Sequence, residues 1–212
     1  MRPVSVLLYY SHNRPNKEKQ LPFSLQQNHG ALARYWLLLF VLSLPLVSQA
    51  ADFKILNQTC RSTADAFVLD ANIDFGFSDK ALEALQNGVP LTLELHLQVR
   101  RDGAWLWEKD LMDTRLRYQI SYHPLASVYQ VLNLQTNTQE SFVTREVAIN
   151  ALGDILALPV IRHEQMEKGK IYRVGLKATL DIDALPLPLR PMAYLSPSWN
   201  QSSEWHSCRI RR

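Results

Sequence analysis

The sequence predicts a mainly β fold: an antiparallel β-sandwich or barrel-like single domain with two short helices. Apolar and polar residues alternate over residues 67–77, 91–99 and 172–182, and this period of two is typical of strands with one buried face. Turn residues separate the alternating segments, and helix-capping signals occur at only two places. Strands joined by tight turns favour an antiparallel sheet over a parallel one.

The first half of the domain predicts a strand, a helix and a second strand. Residues 67–77 form the first strand, with apolar side chains at the odd positions. Ser78 caps a helix over residues 79–87, because its hydroxyl accepts a free N–H of the first turn. Residues 91–99 alternate again and end at the hairpin turn Arg101-Asp102-Gly103, since Asp-Gly supplies the left-handed backbone of tight hairpins.

Two further strands are predicted after this hairpin. A return strand begins at Ala104, and its apolar phase slips near Met112-Asp113, which indicates a bulge or a break before the strand ends at His123. Residues 128–134 supply the next strand, and residues 136–138 are typical of a turn.

The last part of the chain predicts one helix and two strands. Thr144 caps the helix over residues 145–152, and Gly153 closes it. Residues 172–182 form a strand, and the final strand lies around residues 203–210.

An apolar run over residues 35–47, followed by Ser48-Gln49-Ala50, predicts a secretory signal peptide with its cleavage site. The run is shorter than the roughly 20 apolar residues that cross a bilayer. We expect residues 1–50 to be a signal peptide with an over-long basic leader, and residues 51–212 to be a single exported β-rich domain. The expected location is the periplasm, and the alternative is an uncleaved N-terminal anchor in the inner membrane that faces the periplasm.

The distribution of charge argues against nucleic acid as a partner. The whole chain has a net charge of +3, but the leader carries five basic residues and one acidic residue, so the part after residue 50 has a net charge of −1. A basic excess is the electrostatic footprint of nucleic-acid binding, and the mature part lacks it. No second apolar run approaches spanning length, so we expect no stable membrane span in the mature chain.

One segment resembles the start of a calcium-binding loop. Asp70, Asn72 and Asp74 place oxygens at alternating positions, but Phe75 and Ala81 stand where such a loop needs Gly and a bidentate Glu. The solvated face of a strand explains these residues better, and calcium is rejected.

No catalytic pattern is complete. His163-Glu164 resembles half of a zinc-protease helix, but Glu167 stands where the second His is needed. A solvated helical turn is the simpler interpretation. The sequence also lacks a nucleophile elbow, a phosphate-binding glycine loop and a CxxC pair. We therefore expect a protein that is not an enzyme, and we assign no catalytic, cofactor-binding or metal-ligating residue.

The proline-rich segment after residue 184 has two interpretations. Pro188-Leu189-Arg190-Pro191 matches a PxxP polyproline ligand. The alternative, which we favour, is an extended connection that packs Leu185, Leu187 and Leu189 against the sandwich.

Aromatic residues are the other candidate contacts. Four tryptophans of the mature chain form either an aromatic binding face or, for at least two of them, part of the core: Trp105, Trp107, Trp199 and Trp205. Together with the proline-rich segment they define the candidate interaction residues, which are Pro186, Leu187, Pro188, Arg190, Pro191, Trp199 and Trp205.

The sequence contains two cysteines, Cys60 and Cys208, and both follow the predicted cleavage site. Because the periplasm oxidises thiols, we predict a disulfide between them. The bond requires Cα atoms within about 7 Å. The alternative is two separate thiols, one of them buried.

Four segments resemble a known family: residues 82–92, 117–125, 180–191 and 198–205. Over nearly all of the mature chain, the sequence is similar to a group of exported proteobacterial proteins catalogued as domain of unknown function 4390. The resemblance implies a bacterial envelope protein with no catalytic or binding residues to carry over. It also implies a link to a membrane sensor kinase, since genes of the family often lie near one.

Three functions of different class stay open, of which the least favoured is an enzyme whose site is assembled only in three dimensions. The leading hypothesis is a non-enzymatic interaction or accessory module of the cell envelope, with an unknown envelope protein as partner. The alternative is a small-ligand-binding protein with an aromatic-lined pocket between the sheets. A flat, exposed apolar patch favours the first, whereas a deep apolar pocket that holds two or more Trp favours the second.

Overall fold

The computed structural model describes residues 53–105 and 107–212. The expected signal peptide and leader, residues 1–50, lie outside the described residues. In the described part, no helix is long and apolar enough to cross a membrane.

The described part contains nine strands, three α-helices and three 3-10 turns. The strands are β1 (Lys54–Ser62), β2 (Ala66–Asp74), β3 (Leu91–Arg101), β4 (Met112–His123), β5 (Val128–Asn133), β6 (Thr138–Phe142), β7 (Asp154–Arg162), β8 (Ile171–Leu180) and β9 (His206–Arg211). The helices are α1 (Asp79–Gln86), α2 (Arg145–Gly153) and α3 (Arg190–Leu195). The 3-10 turns span His163–Gln165, Ile182–Ala184 and Pro197–Trp199.

The strands form two antiparallel sheets, which confirms the predicted fold class. One sheet has three strands in the order β1-β2-β7, and the other has six in the order β6-β5-β4-β3-β8-β9. Neither sheet closes on itself, so the architecture is a β-sandwich rather than a barrel.

The core lies between the sheets and is built by the predicted alternation. In β3 the apolar residues at odd positions are at most 1% exposed: Leu91, Leu93, Leu95, Leu97 and Val99. In β2 the buried odd positions are Phe67, Leu69, Ala71 and Ile73. Both rows belong to one apolar cluster. The two sheets therefore bury the faces that the sequence pattern predicts.

Both predicted helices are confirmed, with the predicted N-caps. The Ser78 hydroxyl accepts the N–H of Ala81 at 3.2 Å, and the Thr144 hydroxyl accepts the N–H of Val147 at 3.4 Å. After α1, Gly88 has a φ of +82°, the left-handed conformation that the end of a helix requires.

Gly153 serves a different purpose from the predicted one. It is the last residue of α2, where it lies against β2. A Cβ at this position would collide with the backbone carbonyl of Ile73. The position requires Gly because helix and strand backbones approach closely, and not because the helix ends in a left-handed residue.

Three strands are not predicted from the sequence, and all three lie at sheet edges. β1 and β7 flank β2 in the small sheet, and β6 is an outer strand of the large one. Most of their residues are exposed or half-buried. β1 buries one side chain, β6 none and β7 three, of which two are consecutive, so none of them shows the alternation by which a strand is recognised.

The predicted start of the return strand is wrong, whereas the predicted break is real. β4 begins at Met112, which pairs with Val99, and residues 104–105 and 107–111 lie outside any strand. The phase slip near Met112 therefore marks the place where the loop ends. Gly103 has a φ of +81°, as the predicted turn requires.

The predicted disulfide is present and joins the two sheets. Cys60 lies on β1 and Cys208 on β9, with Cα atoms 6.0 Å apart. Each strand is an outer strand of its own sheet. Beside the bond, the Gln58 side chain donates to the backbone carbonyl of Val174 at 3.0 Å. One side of the sandwich is thus held by a covalent bond and a side-chain hydrogen bond.

Removing the disulfide tests this arrangement. The bond closes a loop with a sequence separation of 148 residues. In the chain-entropy model, the double variant Cys60→Ser/Cys208→Ser loses about 4–5 kcal/mol in free energy of unfolding. Urea denaturation of the oxidised chain and of the variant measures the difference. Two alkylatable thiols in the chain recovered from cells, or equal urea midpoints, would contradict the bond.

Gly153→Ala tests the close approach of α2 to β2. The added Cβ meets a backbone atom that cannot move away alone, so we expect a loss of about 1–3 kcal/mol in stability. Gly175→Ala is the matched control, because its Cβ meets only the ring of Trp205, at 3.3 Å, and an exposed ring can shift. Thermal denaturation of both variants decides the matter; equal melting temperatures would refute the steric account.

Candidate interaction surface

The segments that resemble metal sites have structural partners in the fold. The Asp70 carboxylate accepts from the Arg61 guanidinium at 2.6 Å and from the N–H of Ala157 at 2.7 Å. The hydrogen bond from Arg61 lowers the pKa of Asp70 below its usual value. His163 begins a short 3-10 turn, and its ring lies edge-on to Phe67. Among the described residues, no three His, Cys, Asp or Glu side chains are grouped to hold a metal ion.

The proline-rich segment is neither a polyproline helix nor an extended connection. The N–H of Leu189 donates to the carbonyl of Pro186 at 2.9 Å, which closes a turn. α3 follows directly, with Pro191 in its first turn, where proline is tolerated because the first N–H groups of a helix have no partner. The polyproline interpretation and the extended conformation are therefore wrong. Of the packing contacts that we favoured, Leu185 is buried in the core as predicted, Leu189 is half-buried and Leu187 is exposed.

Buried residues and hydrogen bonds hold this segment on the domain. Leu185 and Ala193 are each 1% exposed, and Trp199 is 8% exposed. The Nε of Arg190 donates to the carbonyl of Leu185 at 2.7 Å. The Tyr194 hydroxyl donates to the Asp183 carboxylate, and this hydrogen bond raises the pKa of Tyr194. The backbone of residues 185–199 is thereby fixed by its own anchors.

The same segment exposes large apolar side chains. Four of them, which we call the α3 surface, are 61–87% exposed: Leu187, Met192, Tyr194 and Leu195. Of the predicted contact residues, Pro186, Pro188 and Pro191 are exposed beside them, and Arg190 is half-buried. Met192, Tyr194 and Leu195 are not among the predicted contact residues, although Arg-Pro followed by Met-Ala-Tyr-Leu is a recognisable helix start.

The four tryptophans lie in three separate places, so they form no common face. Trp199 is buried and packs in the core. The expectation of at least two Trp in the core is wrong, because the other three are 45–79% exposed. Trp199 is thus no surface contact, whereas Trp205 lies against Gly175 and His96 of the six-stranded sheet.

Trp205 rests on the outer face of the large sheet. Gly175 leaves room for its indole, and the ring of His96 lies 5.1 Å away between centroids. Beside the indole is an open groove of about 390 Å³, which Arg100 and Arg173 also line. Sequence analysis cannot find this groove, because Gly175 matters only once Trp205 folds over it.

Ion pairs occupy the charged groups around this groove. Arg100 pairs with Asp110 at 2.6 Å, and Arg173 pairs with Asp102 at 2.7 Å. His96 lies 2.7 Å from the Asp113 carboxylate. The hydrogen bond from His96 lowers the pKa of Asp113. The groove presents no unpaired arginine as an anion receptor.

These features define the class: a mainly antiparallel β-sandwich domain, cross-linked at one side, that presents an anchored apolar segment on its surface. The chain belongs to the family described as domain of unknown function (DUF4390), whose profile matches residues 50–209. Comparison with curated proteins and with solved structures finds no match.

Single substitutions separate anchoring residues from exposed ones. Leu187→Ala removes a side chain that is 73% exposed, so we expect the free energy of unfolding of the domain to change by less than about 0.5 kcal/mol. Arg190→Ala removes a hydrogen bond to the Leu185 carbonyl, and we expect a loss of about 1 kcal/mol. Equilibrium urea unfolding measures both. A larger loss for Leu187→Ala than for Arg190→Ala would show that the assignment of anchors is wrong.

Proposed function

We propose that this chain is a non-enzymatic interaction module of the cell envelope, and that the α3 surface is its contact with an envelope protein. The observation that carries the proposal is the contrast within residues 185–199: buried anchors fix the backbone, while Leu187, Met192, Tyr194 and Leu195 stay in solvent. Clusters of exposed apolar side chains are typical of protein-binding surfaces.

The chemistry of the α3 surface suits a protein partner. Met and Tyr are enriched at the centres of protein interfaces. Because the segment is already ordered, binding needs little further loss of backbone entropy. Leu195, at 87% exposure, has nearly all of its apolar surface available for burial.

Two observations support a location in the envelope. The apolar run over residues 35–47 with its small-residue end is typical of an export signal. The Cys60–Cys208 disulfide is typical of proteins in oxidising compartments, since cytoplasmic thiols are kept reduced. We propose the periplasm as the location, either free or held by an uncleaved anchor. A membrane sensor kinase is the first partner to test.

Site-specific cross-linking in living bacteria tests the contact. A photo-reactive amino acid at Met192 is expected to give a discrete adduct after irradiation, recovered from the envelope fraction. The double variant Leu187→Ser/Leu195→Ser should reduce that adduct at least tenfold. Both leucines are exposed in the free domain and would be buried by the partner, so their loss removes about 3 kcal/mol or more of binding free energy.

The matched control uses Leu125, which is fully exposed on the turn between β4 and β5. The variant Leu125→Ser should leave the Met192 adduct unchanged, and the probe at Leu125 should give none. An adduct of equal yield from both positions, or none from Met192 in cells that make the folded chain, would overturn the proposal.

A further inference from the structure

The loop between β3 and β4 carries a second apolar feature, at some distance from the α3 surface. Trp105 and Trp107 stack on one another, with centroids 5.1 Å apart and planes 15° apart. They are 68% and 79% exposed, and Leu111 at the end of the loop is 44% exposed. Two adjacent indoles that contact each other instead of the core leave a large apolar area in water.

Hydrogen bonds hold the loop against the end of the sheet. The N–H of Leu111 donates to the carbonyl of Val99 at 2.8 Å, and the N–H of Glu108 donates to the carbonyl of Trp105 at 2.9 Å. Arg101 pairs with Glu108 at 2.9 Å. The two indoles therefore project from a closed loop rather than from a free strand end.

Basic side chains gather at this end of the large sheet. The N–H of Asp102 donates to the carbonyl of Ile171, and the N–H of Gly169 donates to the carbonyl of Arg212. These hydrogen bonds bring the loop, the start of β8 and the end of β9 together. Residues 100–110, 167–173 and 209–212 carry nine basic and four acidic side chains. The rest of the chain after residue 50 carries nine basic and fifteen acidic ones. This end is positive on an otherwise acidic domain.

Three of the four acids at this end, Asp102, Glu108 and Asp110, form ion pairs with arginines, which leaves basic groups in excess. Asp102 pairs with Arg173 and Arg209, and Asp110 pairs with Arg100. Within the described part of the chain, five basic residues there form no ion pair: Lys109, Lys168, Lys170, Arg211 and Arg212. All five are exposed and lie at the same end of the sheet as the two indoles.

We propose that the Trp105–Trp107 loop and its basic surroundings bind the surface of an anionic phospholipid bilayer. Indole rings favour the boundary between headgroups and acyl chains, and exposed Lys and Arg are attracted to anionic headgroups. Trp and Arg also occur at protein interfaces, but Lys is depleted there, whereas anionic headgroups attract Lys and Arg alike, and three of the five unpaired cations are Lys. The direction of β8 places α3 at the opposite end of the sheet, so a domain on the bilayer keeps the α3 surface free.

Flotation with vesicles tests the proposal on the full chain as recovered from cells. Vesicles of phosphatidylglycerol and phosphatidylcholine in equal amounts should bind the chain, more weakly as salt is raised. Trp105→Ser/Trp107→Ser should weaken binding by at least tenfold. In the double variant Lys168→Gln/Lys170→Gln, each of the two substitutions should weaken vesicle binding about fivefold. Leu125→Ser changes a side chain that is fully exposed at the other end of the sheet, so it should have no effect.

A second measurement separates the loop from any contribution of the N-terminal apolar run. Brominated phosphatidylcholine in the same vesicles should quench the indole fluorescence of the wild-type chain, and Trp105→Phe/Trp107→Phe should abolish most of that quenching. The proposal is overturned if the quenching survives in this variant. It is equally overturned if vesicles of phosphatidylcholine alone bind the chain as tightly, or if the loop captures a protein and binds no vesicle.

Discussion

The rest of the structure depends on the apolar row of β3. Leu93, Leu95, Leu97 and Val99 are at most 1% exposed, and the strand is hydrogen-bonded to β4 on one side and β8 on the other. A shift of one residue in either pairing would point such a row at solvent and bring residues such as Glu94 into the core. Burial of this row therefore sets the register of both neighbours and of the strands beyond them.

The register of β3 also separates the two surfaces that we propose as contacts. β3 has 11 residues, which span roughly 33 Å at about 3.3 Å per residue. Its C-terminal end leads into the loop with Trp105 and Trp107. β8 runs antiparallel to it and leads from that end towards α3. A stiff sheet thus holds an aromatic, basic end and an apolar segment apart, which suits a module that lies on a membrane and presents a partner site away from it.

Strands with one fully buried face and helices with a capping residue can be predicted from the sequence, whereas strands that bury few side chains cannot. β2 and β3 are predicted because one face of each is fully buried, and α1 and α2 are predicted because Ser78 and Thr144 act as caps. β1, β6 and β7 are missed because edge strands bury few side chains. The disulfide is predicted from two cysteines and an expected compartment, but its role of joining the outer strands of two sheets needs the fold.

For the candidate site, the sequence located the segment but not its shape. Pro186 to Pro191 is part of the exposed region, yet its conformation is a turn and a helix, because Leu185, Ala193 and Trp199 are buried against the domain. Whether a Trp is buried is likewise decided by long-range packing: the same residue type lies in the core at Trp199 and in solvent at Trp107.

By itself, the sequence determined the fold class and which face of each central strand is buried, since both depend on local periodicity. It also determined two helices through their caps and the disulfide through the number of cysteines. Only the tertiary structure decided which edge strands complete the sheets, which tryptophans are exposed, and that basic residues from three distant segments meet at one end. Those features arise from contacts between residues far apart in the chain, which no local pattern encodes.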